Sequence, residues 1–67
     1  MSVAKIIELK SASTKSIEDA VQVGVAKCAE TVKNIRGAWV DGIKVKVGPD
    51  GAILEWRVDL KVTFIVD

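Results

Sequence analysis

The 67-residue sequence contains no histidine and no tyrosine, and only one cysteine, one proline, one phenylalanine and two tryptophans. Each shortage removes a class of chemistry. Without an imidazole there is no Ser-His or Cys-His pair to activate a nucleophile. One cysteine, Cys28, cannot close a disulfide within the chain, and with no histidine beside it there is no Cys/His metal cluster. No glycine-rich phosphate loop is present either, so enzyme activity is not expected. The formal net charge is only +1, too small for a long-range field toward nucleic acid or a membrane surface. No apolar run approaches the ~20 residues that span a bilayer. The N-terminus lacks the basic-then-apolar pattern of a signal peptide. The expectation is a soluble, cytoplasmic protein without nucleic-acid or membrane partners.

What the chain does have is apolar residues, 49% of the total. A domain this small buries a modest core and commonly needs disulfides, a metal or partner copies to be stable. With intrachain disulfides and Cys/His metal clusters excluded, self-association is the remaining supplement.

The chain divides into four segments. "VAKIIELK" (3–10) is short and rich in Ile and Val, which predicts a first strand. Ser13 or Thr14 then suits a helix N-cap, with Glu18 and Asp19 in the first turn where the helix dipole favours acids. Ile17, Val21, Val25, Cys28, Val32 and Ile35 are spaced by three or four, the stripe of an amphipathic helix running to about Asn34. Gly24 interrupts this helix and suggests a close backbone approach. A second strand is expected over 37–47, with a β-bulge at Asp41-Gly42 to correct the phase between Val40 and Ile43. "GPDG" (48–51) predicts a four-residue loop on a type I turn with Gly51 left-handed. The segment 53–67 alternates apolar and polar residues and predicts the third strand.

These elements specify an α+β fold, β-α-β-β. If all pairs are antiparallel, the third strand lies in the middle, in order 1-3-2, with the helix on the apolar face. A four-residue loop would set Lys44 opposite Glu55, Asp41 opposite Arg57 and Trp39 opposite Asp59. Trp39, Asp41, Arg57 and Asp59 would then be neighbours on the polar face. Trp39 suits either a planar ligand or a subunit contact. Arg57 suits either an anionic ligand or an ion pair with Asp41 or Asp59. Trp56 points to the apolar side as a core residue. Carboxylates such as Asp41, Asp50, Asp59, Glu8 and Glu55 have the oxygen donors calcium prefers, though in no calcium-loop spacing. Symmetry could gather one such carboxylate from several copies around an axis.

Three segments, "KIIELKSAS", "SIEDAVQVGVAKCAETVKNIR" and "WRVDLKVTF", together resemble the dodecin family of small flavin-binding proteins over nearly the whole chain. The resemblance implies a three-stranded antiparallel sheet wrapped around one long helix, assembled into a hollow homododecamer that binds riboflavin or FMN without catalysis. Typical members stack the flavin on a Trp early in the second strand and read its edge with a Gln in the third. Here the matching positions are Gly37 and Arg57, with Trp39 two residues beyond the first. That pattern is closer to a dodecin-like branch described as calcium-associated, in which Arg replaces Gln and the stacking Trp is absent. The implied cofactor-binding residues are Trp39, Arg57, Gly37 and Asp41. Asp41 and Asp59 are the candidates for calcium.

Overall fold

A computed structural model describes residues 2–66. The elements follow the expected order: β1 (Val3–Ser13), α1 (Ile17–Ala29), β2 (Ile35–Val47) and β3 (Ile53–Val66). The expected end of the last strand at Asp67 lies outside the described residues. One antiparallel sheet has the order β1-β3-β2. Alternation along β3 sends Val58, Leu60 and Val62 to the helix side, where each is fully buried with Ala20 of α1. Burying such side chains stabilises by roughly 1.5–3 kcal/mol each. Ile7, Leu9, Ile17, Val21, Val25, Cys28, Ile35 and Val40 pack around them. Cys28 is therefore a packing residue, as its place on the stripe suggests. Among the described residues, no helix is long and apolar enough to cross a membrane.

β1 is longer than the expected 3–10, because the small residues Ser11 and Ser13 still pair with Val58 and Trp56. The N-cap is Ser16, not Ser13 or Thr14: its Oγ accepts from Asp19 N at 3.0 Å. Ser13 has a neighbouring role. Its hydroxyl donates to Asp19 Oδ2 at 2.6 Å and accepts from Lys15 N at 2.9 Å, tying the strand end to the helix start.

The helix stops at Ala29, short of the expected Asn34. Thr31 and Val32 N–H groups both turn back to the Cys28 carbonyl, at 3.2 and 3.0 Å. Asn34 then takes a left-handed φ of 63°, which Asn tolerates better than most residues. Its carbonyl accepts from Ile65 N, so the chain is already entering the sheet. Ile35 continues the helical spacing by coincidence, being a β2 residue that pairs with Phe64. The 13-residue helix is about 20 Å long, whereas the molecule extends 53 Å along its long axis. The β2–β3 hairpin thus runs past the helix, leaving Ile43, Val47, Ile53 and Leu54 exposed.

Gly24 does mark a close approach. A Cβ there would sit 2.9 Å from both Leu60 Cδ1 and Ser11 Cβ. Gly24→Ala gains up to ~1 kcal/mol of helix propensity, but overpacking costs about 1–3 kcal/mol. The Ser11 Cβ is fixed to a paired strand and cannot yield cheaply. The substitution should therefore lower the melting temperature, and a higher melting temperature would show that α1 can lift from β1 at no cost.

The hairpin loop is one residue shorter than expected. Gly51 N donates to the Gly48 carbonyl at 3.0 Å and Gly48 N to the Ala52 carbonyl at 2.8 Å. This is a type I turn followed by left-handed Gly51 (φ 86°), a three-residue loop with a bulge. Asp50 Oδ1 braces it by accepting from Ala52 N. A further irregularity falls between Val47↔Ile53 and Lys46↔Glu55, and leaves Leu54 as an extra residue on β3. The expected bulge at Asp41 is present, between Val40↔Leu60 and Gly42↔Asp59.

Candidate functional site

The loop and the Leu54 irregularity together slide β2 against β3 by two residues from the expected register. A two-residue slip keeps every side chain on its expected face and changes its partner. Lys44 lies opposite Arg57 rather than Glu55, and Lys46 takes Glu55. Trp39 lies opposite Lys61 rather than Asp59. The expected Asp41–Arg57 pair does not form, because Asp41 occupies the bulge beside Lys61 and Gly42 stands opposite Asp59.

The polar face of the sheet is therefore a set of rows across three strands. In one row, Trp39 and Glu8 flank Lys61. Lys61 Nζ lies 5.9 Å from the centre of the indole, within cation–π range. It is also 3.8 Å from both Glu8 Oε1 and Asp41 Oδ2. Trp39 is 68% exposed, large for an indole and unlike the half-buried Trp56 on the opposite face. The adjoining row contains Gly37 opposite Thr63. Among the described residues, a Cβ on Gly37 would meet nothing within 4 Å, so the floor beside Trp39 is open. No irregularity separates Gly37 from Trp39, and both look out from the same face.

In the next row Lys10 Nζ binds Asp59 Oδ1 at 2.9 Å. Each charge favours the other: Asp59 is held below the usual carboxylate range by the Lys10 hydrogen bond, and Lys10 is raised by the same contact. Both are solvent-exposed, so this pair marks geometry more than it adds stability. A shallow cavity of about 350 Å³ is lined by Glu8, Lys10, Asp41, Asp59 and Lys61. Among the described residues, no group of three or more His, Cys, Asp and Glu side chains is placed to hold a metal ion.

Arg57 lies one row further, flanked by Lys44 on β2 and Ala12 on β1. Its Nε donates to Glu55 Oε1, two residues away on the same strand, at 2.5 Å. The structure thus brings Trp39 and Asp41 together beside Lys61, with Gly37 in the adjoining row. Arg57 is four residues from Lys61 along β3, about 13 Å. Lys61 and Lys44 do not stand out in the sequence. The alternation puts both on the polar face, but only the register shows which residue each one meets.

The dodecin family profile matches residues 3–67. The chain belongs to the dodecin family. Solved relatives include the dodecin of Thermus thermophilus, seen as a point mutant. It is 28% identical, with a TM-score of 0.92 over 100% of this chain and 98% of that one. The calcium dodecin of Mycobacterium tuberculosis, described as a calcium-chelating immunodominant antigen, is 31% identical, with a TM-score of 0.82 over 97% and 91%. The dodecin of Streptomyces davaonensis, 23% identical with a TM-score of 0.91 over 98% and 96%, shares the fold. No curated protein matches the chain. The β-α-β-β order and the β1-β3-β2 sheet are those of these dodecin structures.

Proposed function

We propose that this dodecin forms the wall of a hollow cytoplasmic homododecamer that binds and buffers a planar small molecule of the flavin class, riboflavin or FMN, without catalysis. The observation that carries the reading is Trp39, an indole two-thirds exposed on a charged face beside the open floor at Gly37. An exposed aromatic plate next to free space suits a stacked ring. The residues present fit this role in a particular way. Trp39 would supply the stacking surface that Gly37 does not, and Asp41 would accept from a ring N–H. Arg57 can donate to a carbonyl but, unlike a Gln, cannot accept. Trp39 and Arg57 of one chain lie too far apart along β3 to grip the same ring edge-on, so a shared ligand spans the rows or sits between copies. Assembly is supported by the apolar end of the hairpin, where Ile43, Val47, Ile53 and Leu54 are each left about half exposed within the chain.

Titration with riboflavin, followed by quenching of flavin fluorescence beside a native-mass measurement, tests the reading. Loss of one stacking plate costs ~1–3 kcal/mol, so Trp39→Ala should weaken binding by about fivefold to 150-fold. Absence of quenching by the assembled wild-type protein would rule the flavin reading out.

A second reading, a calcium-associated or structural shell, is favoured by the 31% identity to the calcium dodecin of M. tuberculosis. Asp41 and Asp59 are its candidate ligands. Within one chain both carboxylates already face lysines, Lys61 and Lys10. Calcium would have to displace these and draw further oxygens from other copies. Equal melting in calcium and in chelator would remove this reading.

A further inference from the structure

Trp39 has little on its own strand to lean against. It stands on β2, an outer strand of the sheet. Two residues before it, on the same face, is Gly37, which has no side chain to offer. Just beyond it the bulge carries Asp41 towards Lys61. An indole so placed, 68% exposed, would sample more than one rotamer in solvent, and a ligand stacking on it would first have to order it. Ordering a side chain on binding costs affinity, and ordering it beforehand removes that cost.

Lys61 supplies the fixed point. Its side chain is 34% exposed, against 81% and 80% for the ion-paired Lys10 and Lys27. It rises from β3, the middle strand, and its ammonium is 3.8 Å from a carboxylate on each flank, Glu8 on β1 and Asp41 on β2. Ion pairs of this kind add little stability, but two of them pulling from opposite strands set where the charge sits. It sits over one face of the indole, 5.9 Å from the ring centre. The ring quadrupole attracts it there, which leaves the other face of the indole for a flat ring. With a carboxylate on each side, Lys61 is not a spare cation waiting for an anionic ligand.

We propose that Lys61 is the positioning residue of the stacking site: it holds the Trp39 indole by one face, so that the other is presented, already ordered, to a planar ligand. This role rests on Trp39 being a stacking plate. Lys61 acts through the indole and need not touch the ligand.

The test uses the assembled protein in a Trp56→Phe background, where Trp39 is the one tryptophan left, and adds Lys61→Met or Lys61→Arg. Met keeps a long flexible stem without the charge, whereas a guanidinium restores the cation and itself stacks on aromatic faces. Without ligand, time-resolved anisotropy should show a larger fast local motion of the indole in Lys61→Met, and parental order in Lys61→Arg. Riboflavin should then bind about twofold to tenfold more weakly to Lys61→Met, and with near-parental affinity to Lys61→Arg. Glu8→Gln loosens the tether while leaving Lys61 and Trp39 in place, and should move both readings in the same direction by less. It decides the matter where Lys61→Met does not assemble. Indole motion unchanged in Lys61→Met and in Glu8→Gln overturns the role, whatever riboflavin does. A looser indole that binds riboflavin as tightly as the parent overturns it too. Absence of quenching by the parent and every variant removes the flavin reading instead. A looser indole in Lys61→Met beside that result leaves the hold of Lys61 on Trp39 standing.

Discussion

Leu60→Ala should lower stability by about 2–5 kcal/mol, the range for emptying a buried leucine site that cannot collapse. Leu60 is 1% exposed, lies between Leu9 on β1 and Val40 on β2, and meets the helix at Gly24. The cavity would therefore open where all three strands and the helix converge, and the paired backbone around it has little freedom to close. A domain of this size has a total stability of only ~3–10 kcal/mol, so the loss is a large fraction of it. At roughly 4–8 °C per kcal/mol, melting followed by circular dichroism at fixed protein concentration should drop by more than about 10 °C. Leu60→Met conserves volume and should cost less than ~1.5 kcal/mol. If both variants melt within a few degrees of wild type, stability resides in contacts between copies and the intrachain core is secondary. The Gly24 contact adds a second check. In a Leu60→Ala background, Gly24→Ala has lost one of its two clashing neighbours, so the paired substitutions should cost less than the sum of the single ones.

The faces of this sheet are legible in the sequence and the partners are not, and the difference is physical. The side-chain period of a strand is two, so the alternation of Leu54 to Val66 already separates a core face from a polar face. The antiparallel order then follows from direction alone. Partners depend on the loop and on every extra residue. The loop closes on Gly48 and Ala52 rather than Val47 and Ala52, and Leu54 is inserted without any Gly or Pro to announce it. The bulge at Asp41-Gly42 is visible because it breaks the phase between Val40 and Ile43. Leu54 is itself apolar and breaks nothing the eye can follow. For this reason the alternation sets Trp39, Asp41, Arg57 and Asp59 on one face, yet Arg57 meets Glu55 and Lys44 rather than Asp41.

The helix end is hidden in a similar way. Val32 and Ile35 extend the three-and-four spacing beyond Ala29, but Ile35 reaches the core from β2. The reversal at Asn34 has no glycine to mark it. The N-cap is obscured by choice: Ser13, Thr14 and Ser16 all carry the needed oxygen, and Ser16 takes the position because the two preceding hydroxyl residues still belong to the strand and the turn leaving it.

Gly37→Trp should increase riboflavin affinity by about tenfold to a hundredfold. The position is open, since a Cβ there meets nothing within 4 Å, and Gly37 has no positive φ that a side chain would strain. An aromatic residue is also better suited to a strand than glycine, so folding should not suffer. Gly37 and Trp39 share a face and lie about 7 Å apart along β2. That spacing is twice the ~3.5 Å contact distance between flat groups. Indoles at both positions would therefore hold one planar ring between them, each face contributing ~1–3 kcal/mol. Fluorescence quenching of riboflavin measures the gain, with Gly37→Val as the control that supplies strand propensity without a plate. Adding Trp39→Ala to Gly37→Trp separates two geometries. Loss of most of the gain means the ring lies between the two positions, so that Trp39 is already half of a site in the wild-type chain. Retention of the gain means the ring sits on position 37 alone, and Trp39 faces a neighbouring copy instead. An assembled Gly37→Trp protein that binds no more tightly than wild type would show that no flavin approaches this row at all.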